Sequence, residues 1–355
     1  MSYQLTIEPL GQTIDIEPGQ TVLDACLRSG IWLPHACGHG LCGTCKVHVQ
    51  EGEVDHGAAS SFALMDFERD EGHCLACCAM PEADLMIEAD IDEEPDAQYL
   101  PLEDYVGEVV ALRDLTPTIK GVWLRTDRPV RFQAGQYANL AVPGVEGRRA
   151  FSLANAPGDN VVELHVRKVE GGAATGYIHE HLREGECLPL SAPFGRFYVR
   201  KSAQVPMIFL AGGSGLSSPK SMIAELLAEG CRQPITLVHG ARHAGELYCS
   251  DWFQELAVRH PNFRYVPALS EAHDGEGRCE TGFVHEVLAR LYAGQDGRAD
   301  FRGHKAYLCG PPPMIEACIA TLMQGRLFER DIHVEKFLTA AQAQEGRRSP
   351  LFKAI

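Results

Sequence analysis

Cys37-Gly38-His39-Gly40-Leu41-Cys42-Gly43-Thr44-Cys45 is the stretch that decides the first third of this chain. Its x4 and x2 spacings, with Cys77 after 31 intervening residues and Cys74 and Cys78 beside it, are those of a [2Fe–2S] cluster held by four thiolates. Iron at a sulfide core prefers soft ligands, which cysteine supplies. Gly38, Gly40 and Gly43 let the backbone curl around such a group and aim N–H groups at its sulfurs. A structural zinc site also accepts four cysteines, but the additional Cys37 at x4 spacing belongs to the cluster pattern rather than to a zinc knuckle. Seven of the 13 cysteines fall between Cys26 and Cys78, and the total is odd, which points to metal binding in a reducing compartment rather than to disulfides.

Around this loop the pattern is that of a small α+β unit. Residues 3–9 and 12–17 alternate as strands, and residues 21–29 read as a helix stopped by Gly30. Strands are expected at 46–50 and 84–89, with a helix at 63–68 between them. Residues 103–201 carry short β-rich runs broken by Gly and Pro, with one helix near 176–182, the spacing of an antiparallel barrel. From 205 onward strands alternate with helical stretches, which makes an α/β layer with a parallel sheet. The expected boundaries are 1–93 for the cluster domain, 94–101 for an acidic linker, 102–203 for the barrel, 204–340 for the α/β domain and 341–355 for a tail.

The 355 residues are 45% apolar and 23% charged, ordinary for a globular chain of two or three domains. No apolar run approaches a membrane span, and residues 1–10 lack a basic leader, so a cytoplasmic protein with no membrane partner is expected. Charge is divided unevenly: residues 1–98 hold 19 acidic and 3 basic side chains, net −16, and the remainder holds 29 of each. Such a surface repels nucleic acid and steers a basic patch on a protein partner towards the first domain.

Three further motifs carry chemistry. In Arg149-Ala150-Phe151-Ser152, Arg149 can neutralise a phosphate, Phe151 can lie against a flat ring, and Ser152 can hydrogen-bond its edge. Gly171-Gly172-Ala173-Ala174-Thr175 precedes a helix whose free N–H groups can receive a pyrophosphate. Ala211-Gly212-Gly213-Ser214-Gly215-Leu216 follows a strand and opens a helix, as a dinucleotide phosphate requires, although position 218 is Ser rather than the last Gly of G-x-G-x-x-G.

In this order the motifs resemble the ferredoxin-NADP reductase superfamily with an N-terminal plant-type ferredoxin. The run Leu75-Ala76-Cys77-Cys78-Ala79-Met80-Pro81 is similar to the ferredoxin Leu-x-Cys-x-Ala-x-Pro stretch, which selects Cys77 beside Cys37, Cys42 and Cys45 and leaves Cys74 and Cys78 as ordinary thiols. The resemblance implies a flavin, FAD rather than FMN, contacted by residues 149–152, by His165, Val166 and Arg167, and by Gly171, Gly172, Ala174 and Thr175. It implies a nicotinamide site at residues 212–215 with Cys309, Gly310 and Pro311 of Cys309-Gly310-Pro311-Pro312-Pro313-Met314. Catalytic roles fall to Ser152, Cys309, and Glu335 and Phe337 of the terminal Glu-x-aromatic. Arg242, with Glu246 four residues on, sits where the ribose is read, and there the resemblance selects NADH. His39 stands where ferredoxins usually have Arg.

The full-length order resembles reductases of bacterial aromatic-ring oxygenases, and residues 32–40, 149–155 and 325–332 are similar above all to those of multicomponent phenol hydroxylases. That likeness implies electron flow from NADH through FAD and the cluster to a di-iron oxygenase docked on the acidic ferredoxin domain. A hydride carries two electrons and the cluster takes one at a time, so a flavin must stand between them. Oxygen chemistry is expected elsewhere, because a di-iron site needs two Glu-x-x-His pairs and only Glu53-Val54-Asp55-His56 is present. The alternatives are a reductase of a Rieske-type dioxygenase and a non-catalytic iron–sulfur redox sensor.

Overall fold

The computed structural model describes residues 2–35, 38, 40–91, 94–271 and 279–337. It divides into two compact units, residues up to 103 and residues 104–337. The expected tail, 341–355, lies outside the described residues, as does Cys37.

In the first unit, β1 (Tyr3–Glu8), β2 (Gln12–Ile16), α1 (Val22–Arg28), β3 (Lys46–Glu51), β4 (Val54–Asp55), α2 (Asp66–Asp70), β5 (His73–Leu75), β6 (Met80–Pro81) and β7 (Leu85–Glu88) follow in order. The five-stranded sheet runs β2-β1-β7-β3-β5, with β1 and β7 parallel at its centre. Alternation in β1 sends Leu5 and Ile7 into the core under α1, whose Thr21 hydroxyl caps the Asp24 N–H at 3.2 Å. The expected helix at 63–68 begins later, at Asp66, because Ala63 and Leu64 are core residues of a preceding turn and Glu68 accepts the Met65 N–H at 2.8 Å. The acidic stretch after β7 is tied back to this unit: Trp32 Nε1 donates to Leu100 O at 3.1 Å, and Leu102 N to Leu27 O at 3.0 Å.

The second unit opens with β8 (Glu103–Thr116), β9 (Ile119–Thr126), β10 (Tyr137–Ala141), β11 (Arg148–Ser152), β12 (Val161–Arg167), α3 (Ala173–Glu180) and β13 (Cys187–Phe194). Their sheet order is β11-β10-β13-β8-β9-β12, and an antiparallel Leu153–Leu164 bridge joins the two edges into a barrel. The sequence pattern did not mark β13, since Pro189 and Pro193 interrupt its N–H ladder, yet its Leu188, Leu190 and Ala192 fill the barrel core.

The α/β half follows as β14 (Met207–Gly212), α4 (Ser217–Ala228), β15 (Ile235–Ala241), α5 (Ser250–Arg259), β16 (Phe263–Leu269), β17 (Glu280–Thr281), α6 (Val284–Leu291), β18 (Lys305–Gly310), α7 (Pro312–Gln324) and β19 (Ile332–Lys336). All six strands are parallel, in the order β17-β16-β15-β14-β18-β19. Strand order reverses between β14 and β18, so the loops after these two strands open a crevice at their carboxyl ends. Both faces of the sheet are buried, one under Phe209, Leu237 and Tyr307 and the other under Ile208, Leu210 and Leu308. Among the described residues no helix is long and apolar enough to cross a membrane.

Gly135, at φ +101°, lies where barrel and α/β half meet: a Cβ there would stand 2.1 Å from Phe197 O and 2.1 Å from Met222 Cε of α4. Gly135→Ala is therefore expected to destabilise the protein by about 2 kcal/mol or more, through left-handed strain and overpacking, as a fall in urea midpoint at unchanged slope.

Candidate functional site

In the first unit Cys42, Cys45 and Cys77 come together between the loop after α1 and the turn after β5. The Cys77 thiol donates to Cys45, which lowers the Cys45 pKa from the usual thiol value, and the same bond, with another to Cys78, pushes Cys77 up. Cys42 is close enough to act electrostatically on both Cys45 and Cys78. Cys74 and Cys26 are instead buried thiols that desolvation pushes up to about 12, inert packing residues. Cys78, read from sequence as an ordinary thiol, has its Sγ 3.6 Å from that of its chain neighbour Cys77. Gly40, at φ +73°, has no room for a Cβ, which would fall 2.7 Å from Cys78 Sγ and 3.0 Å from Ala58 O. Among the described residues no three ligand-type side chains surround one metal point. A two-iron cluster asks for a pair of thiolates at each iron rather than a triplet on one ion, and this soft, glycine-cradled donor set fits it.

In the second unit the barrel strand β11 presents Arg149 and Ala150 outward, rests Phe151 against the barrel core and buries Ser152. Arg149 is held in place by donating from Nη1 to Glu146 O and Arg148 O, at 3.1 and 3.0 Å. Helix α3 starts at Gly172 with no side-chain cap, which leaves its first N–H groups for a ligand. The Thr175 hydroxyl is used within that loop, accepting from Val169 N at 3.1 Å and donating to Gly172 O at 3.3 Å. Tyr137 stacks on Phe194 with centroids 5.5 Å apart, beside Gly195, whose missing Cβ would meet the Tyr137 ring at 2.9 Å and approach Glu335 Oε1 at 4.0 Å. A ring edged by Ser152, a side-chain-free cradle at Gly195 and an uncapped helix start suit a flavin dinucleotide.

Residues 212–215 lie directly against the end of β18: a Cβ on Gly215 would stand 2.4 Å from Cys309 O, and one on Gly212 2.6 Å from Met314 Sδ. Only glycine allows this closeness, and Gly213 also needs it for its φ of +56°. The parallel register pairs Cys309 with Glu335 and Gly310 with Lys336, and Phe337 N donates to Gly310 O at 3.2 Å. Arg167, read from sequence as a flavin contact, brings its Nη1 to 3.1 Å of where a Gly213 Cβ would be. His165 faces inward, fully enclosed, with Nε2 2.8 Å from Glu163 Oε1 and Nδ1 3.1 Å from the Tyr248 hydroxyl. Arg242 pairs with Glu246, Nη2 to Oε1 at 2.8 Å. A cavity of about 330 Å3 opens beside them, lined among others by Leu247, Tyr248, Cys249, Ser250 and Pro267.

The centre of the site is the carboxylate of Glu335. Its Oε2 accepts from Ser152 Oγ at 3.2 Å, from Ser218 Oγ at 2.8 Å and from Cys309 Sγ at 3.7 Å. Burial pushes Glu335 up to about 7, against the three donors that favour its charged form, and burial raises Cys309 well above the usual thiol value. Ser152, Cys309 and Glu335 are thus brought together as the sequence implied. Ser218 was not among the expected residues; the serine that breaks the last glycine of the loop motif was its only signal.

A thiolate loop, a flavin-type barrel and a parallel nucleotide sheet with a shared, half-buried carboxylate define a nicotinamide-dependent flavin and iron–sulfur reductase. Comparison with protein families agrees: residues 5–82 match the 2Fe-2S iron-sulfur cluster binding domain, 112–198 the oxidoreductase FAD-binding domain and 209–319 the oxidoreductase NAD-binding domain. The chain is 61% identical to the phenol 2-monooxygenase reductase component DmpP of Pseudomonas sp. (strain CF600) and 56% identical to the phenol hydroxylase P5 protein of Acinetobacter pittii (strain PHEA-2), each over the whole of both chains. Among solved structures it is similar to the Amycolatopsis cytochrome P450 reductase GcoB, with a TM-score of 0.85 at 37% identity, covering 94% of this chain and 98% of that one. The chain belongs to the family of phenol hydroxylase reductase components. It is an oxidoreductase that uses NAD, FAD and a [2Fe–2S] cluster, and the sensor reading is set aside.

The raised Glu335 pKa has a sign that can be tested. Unfolded, this carboxyl loses its proton near 4.5, whereas folded it keeps it to about 7, so its contribution to stability is full below 4.5 and lost as pH rises through 7. The thermal midpoint of flavin-free protein is expected to fall across this window, and Glu335→Gln to flatten that part of the profile; equal profiles would refute the assignment.

Proposed function

We propose that the chain takes electrons from NADH and delivers them singly to the di-iron oxygenase component of a phenol-hydroxylating system in the cytoplasm. The observation that carries this reading is the meeting of Ser152, Ser218 and Cys309 on Glu335, which brings the barrel and both nucleotide loops to one point. Bound FAD supplies the chemistry that accepts a two-electron hydride and releases electrons one at a time.

The residues assign themselves around that point. Arg149 and the start of α3 hold the flavin phosphates, Phe151 lies along the ring, and Ser152 bonds its edge. Residues 212–215 and Arg167 take the NADH pyrophosphate, with Gly310 and Pro311 closing the loop from the other side. Cys309 and Phe337 bound the place of the nicotinamide, and Glu335 holds a proton beside it. The cavity at Tyr248 and Cys249 accepts the adenosine end. Arg242, neutralised by Glu246, offers no free guanidinium to a 2′-phosphate, which favours NADH over NADPH. Cys37, Cys42, Cys45 and Cys77 ligate the cluster.

The DmpP relative is by name a phenol 2-monooxygenase reductase component, which supports an oxygenase as recipient. On the first unit Phe62 is 86% exposed, in one segment with exposed Met65 and Phe67 and the acidic Asp66, Glu68 and Asp70, and Ser60 ties this segment to Gly40 of the cluster loop through a 3.0 Å N–H···O bond. An apolar patch in an acidic field beside the cluster fits an apolar, basic-rimmed surface on the oxygenase.

Anaerobic addition of NADH is expected to bleach both flavin and [2Fe–2S] absorption, with NADPH slower by about tenfold or more. Bleaching of flavin alone would overturn the proposed path. Phe62→Ala is expected to leave NADH-driven ferricyanide reduction intact while lowering oxygenase-coupled turnover by about tenfold, as the loss of an interface anchor does; equal coupling would remove Phe62 from the docking surface.

A further inference from the structure

A chain of polar side chains, buried or half-buried, runs from the barrel into the nicotinamide half; of its members only Tyr248, which also lines the cavity given above to the adenosine end, has a part in the steps above. Glu163, on β12, divides its two oxygens between partners: Oε2 accepts from Lys220 Nζ of α4 at 2.6 Å, and Oε1 lies 2.8 Å from His165 Nε2. The other nitrogen of His165 lies 3.1 Å from the Tyr248 hydroxyl, whose single proton is shared between that nitrogen and Gly213 O at 3.3 Å. Lys220 further donates to Ala154 O at 3.2 Å, its ammonium lies 5.2 Å from the Trp252 ring centroid, and Ser221 donates to Asn155 O at 2.6 Å.

The phosphate loop is thus gripped at both ends. Its first turn is held at Gly213 through Tyr248, and the helix that leaves it, α4, is held through Lys220. Both grips end on one carboxylate. Burial alone would raise the Glu163 pKa, but the His165 hydrogen bond and the Lys220 charge hold it down at about 2, so the group stays ionised. Two buried charges are costly to desolvate, and an apolar pair of equal volume would join the two halves at least as firmly. What the ionic pair adds is direction: a carboxylate with each oxygen committed accepts only one placement of α4 and one of Tyr248.

We infer that Glu163, His165, Lys220 and Tyr248 form a positioning unit through which a barrel carboxylate, remote from the dinucleotide itself, sets the shape of the NADH phosphate loop and hence its affinity. The inference rests on the NADH reading of residues 212–215. It makes Glu163 and Tyr248 a single functional element although they lie on separate halves.

The test is calorimetric titration of the oxidised holoprotein with NAD+, in the parent, Glu163→Gln, Tyr248→Phe and the double variant, with thermal midpoints and flavin absorption recorded for each. Tyr248→Phe keeps the ring that lines the adenosine cavity and removes only the hydroxyl, and His165→Phe, which breaks the same unit at a residue outside that cavity, serves if Glu163→Gln, which leaves Lys220 short of a counter-charge, does not fold; an unchanged Kd in His165→Phe would make the Tyr248 effect a direct contact and overturn the inference. The expected result is a Kd about tenfold higher in Tyr248→Phe at a thermal midpoint near the parent's, the size a lost hydrogen bond gives. Where Glu163→Gln folds, its Kd rises similarly and the double variant is no worse than the weaker single, because both break one unit. A Kd within about twofold of the parent in Tyr248→Phe, or a double variant whose effects multiply, would overturn the inference. Failure of the parent to bind NAD+ would overturn the NADH reading and the inference together, which distinguishes the two failures.

Discussion

One carboxylate oxygen, Oε2 of Glu335, receives hydrogen bonds from the end of a barrel strand, from the first turn of α4 and from the end of β18. These segments lie far apart in sequence, and each donor belongs to a different motif. An acid drawn partly out of water is costly unless its lone pairs are met. The requirement fixes how β11, the phosphate loop and the Cys309 turn meet, and so fixes the space in which a flavin and a nicotinamide can face each other. The all-parallel sheet serves that point, since its strand order reverses between β14 and β18 and opens the crevice there.

A second constraint acts below it. Glu163, Lys220, His165 and Tyr248 satisfy one another inside the same unit, so the phosphate loop is positioned by polar contacts with direction rather than by apolar packing alone. Glycine supplies the remaining tolerance: Gly212 and Gly215 sit where a methyl group would strike Met314 or the Cys309 carbonyl. A dinucleotide phosphate can come close to backbone N–H groups only where side chains are absent.

Much of this was legible in the residues. The cysteine spacing is a property of local chain geometry, and so is the strand–glycine–helix order at residues 207–217. The expected barrel missed β13 because its prolines suppress the alternating signal, while tertiary burial of Leu188 and Leu190 holds the strand in place. The helix expected at 63–68 started late for the same reason, since Ala63 and Leu64 are drawn into the core before the helix begins.

The sequence by itself determined the three modules, their order, the soft ligands, and the division of charge that leaves the first hundred residues strongly acidic. These follow from short-range spacing and from composition, which folding does not alter. Tertiary structure decided that Ser218 joins Ser152 and Cys309 on Glu335, that His165 turns inward to Tyr248, and that Arg167 reaches the loop at Gly213. Each is a contact between residues far apart in the chain, and its geometry is set by sheet order and burial. No local pattern encodes which buried donor an acid will find; that is settled when the strands pair and water is excluded.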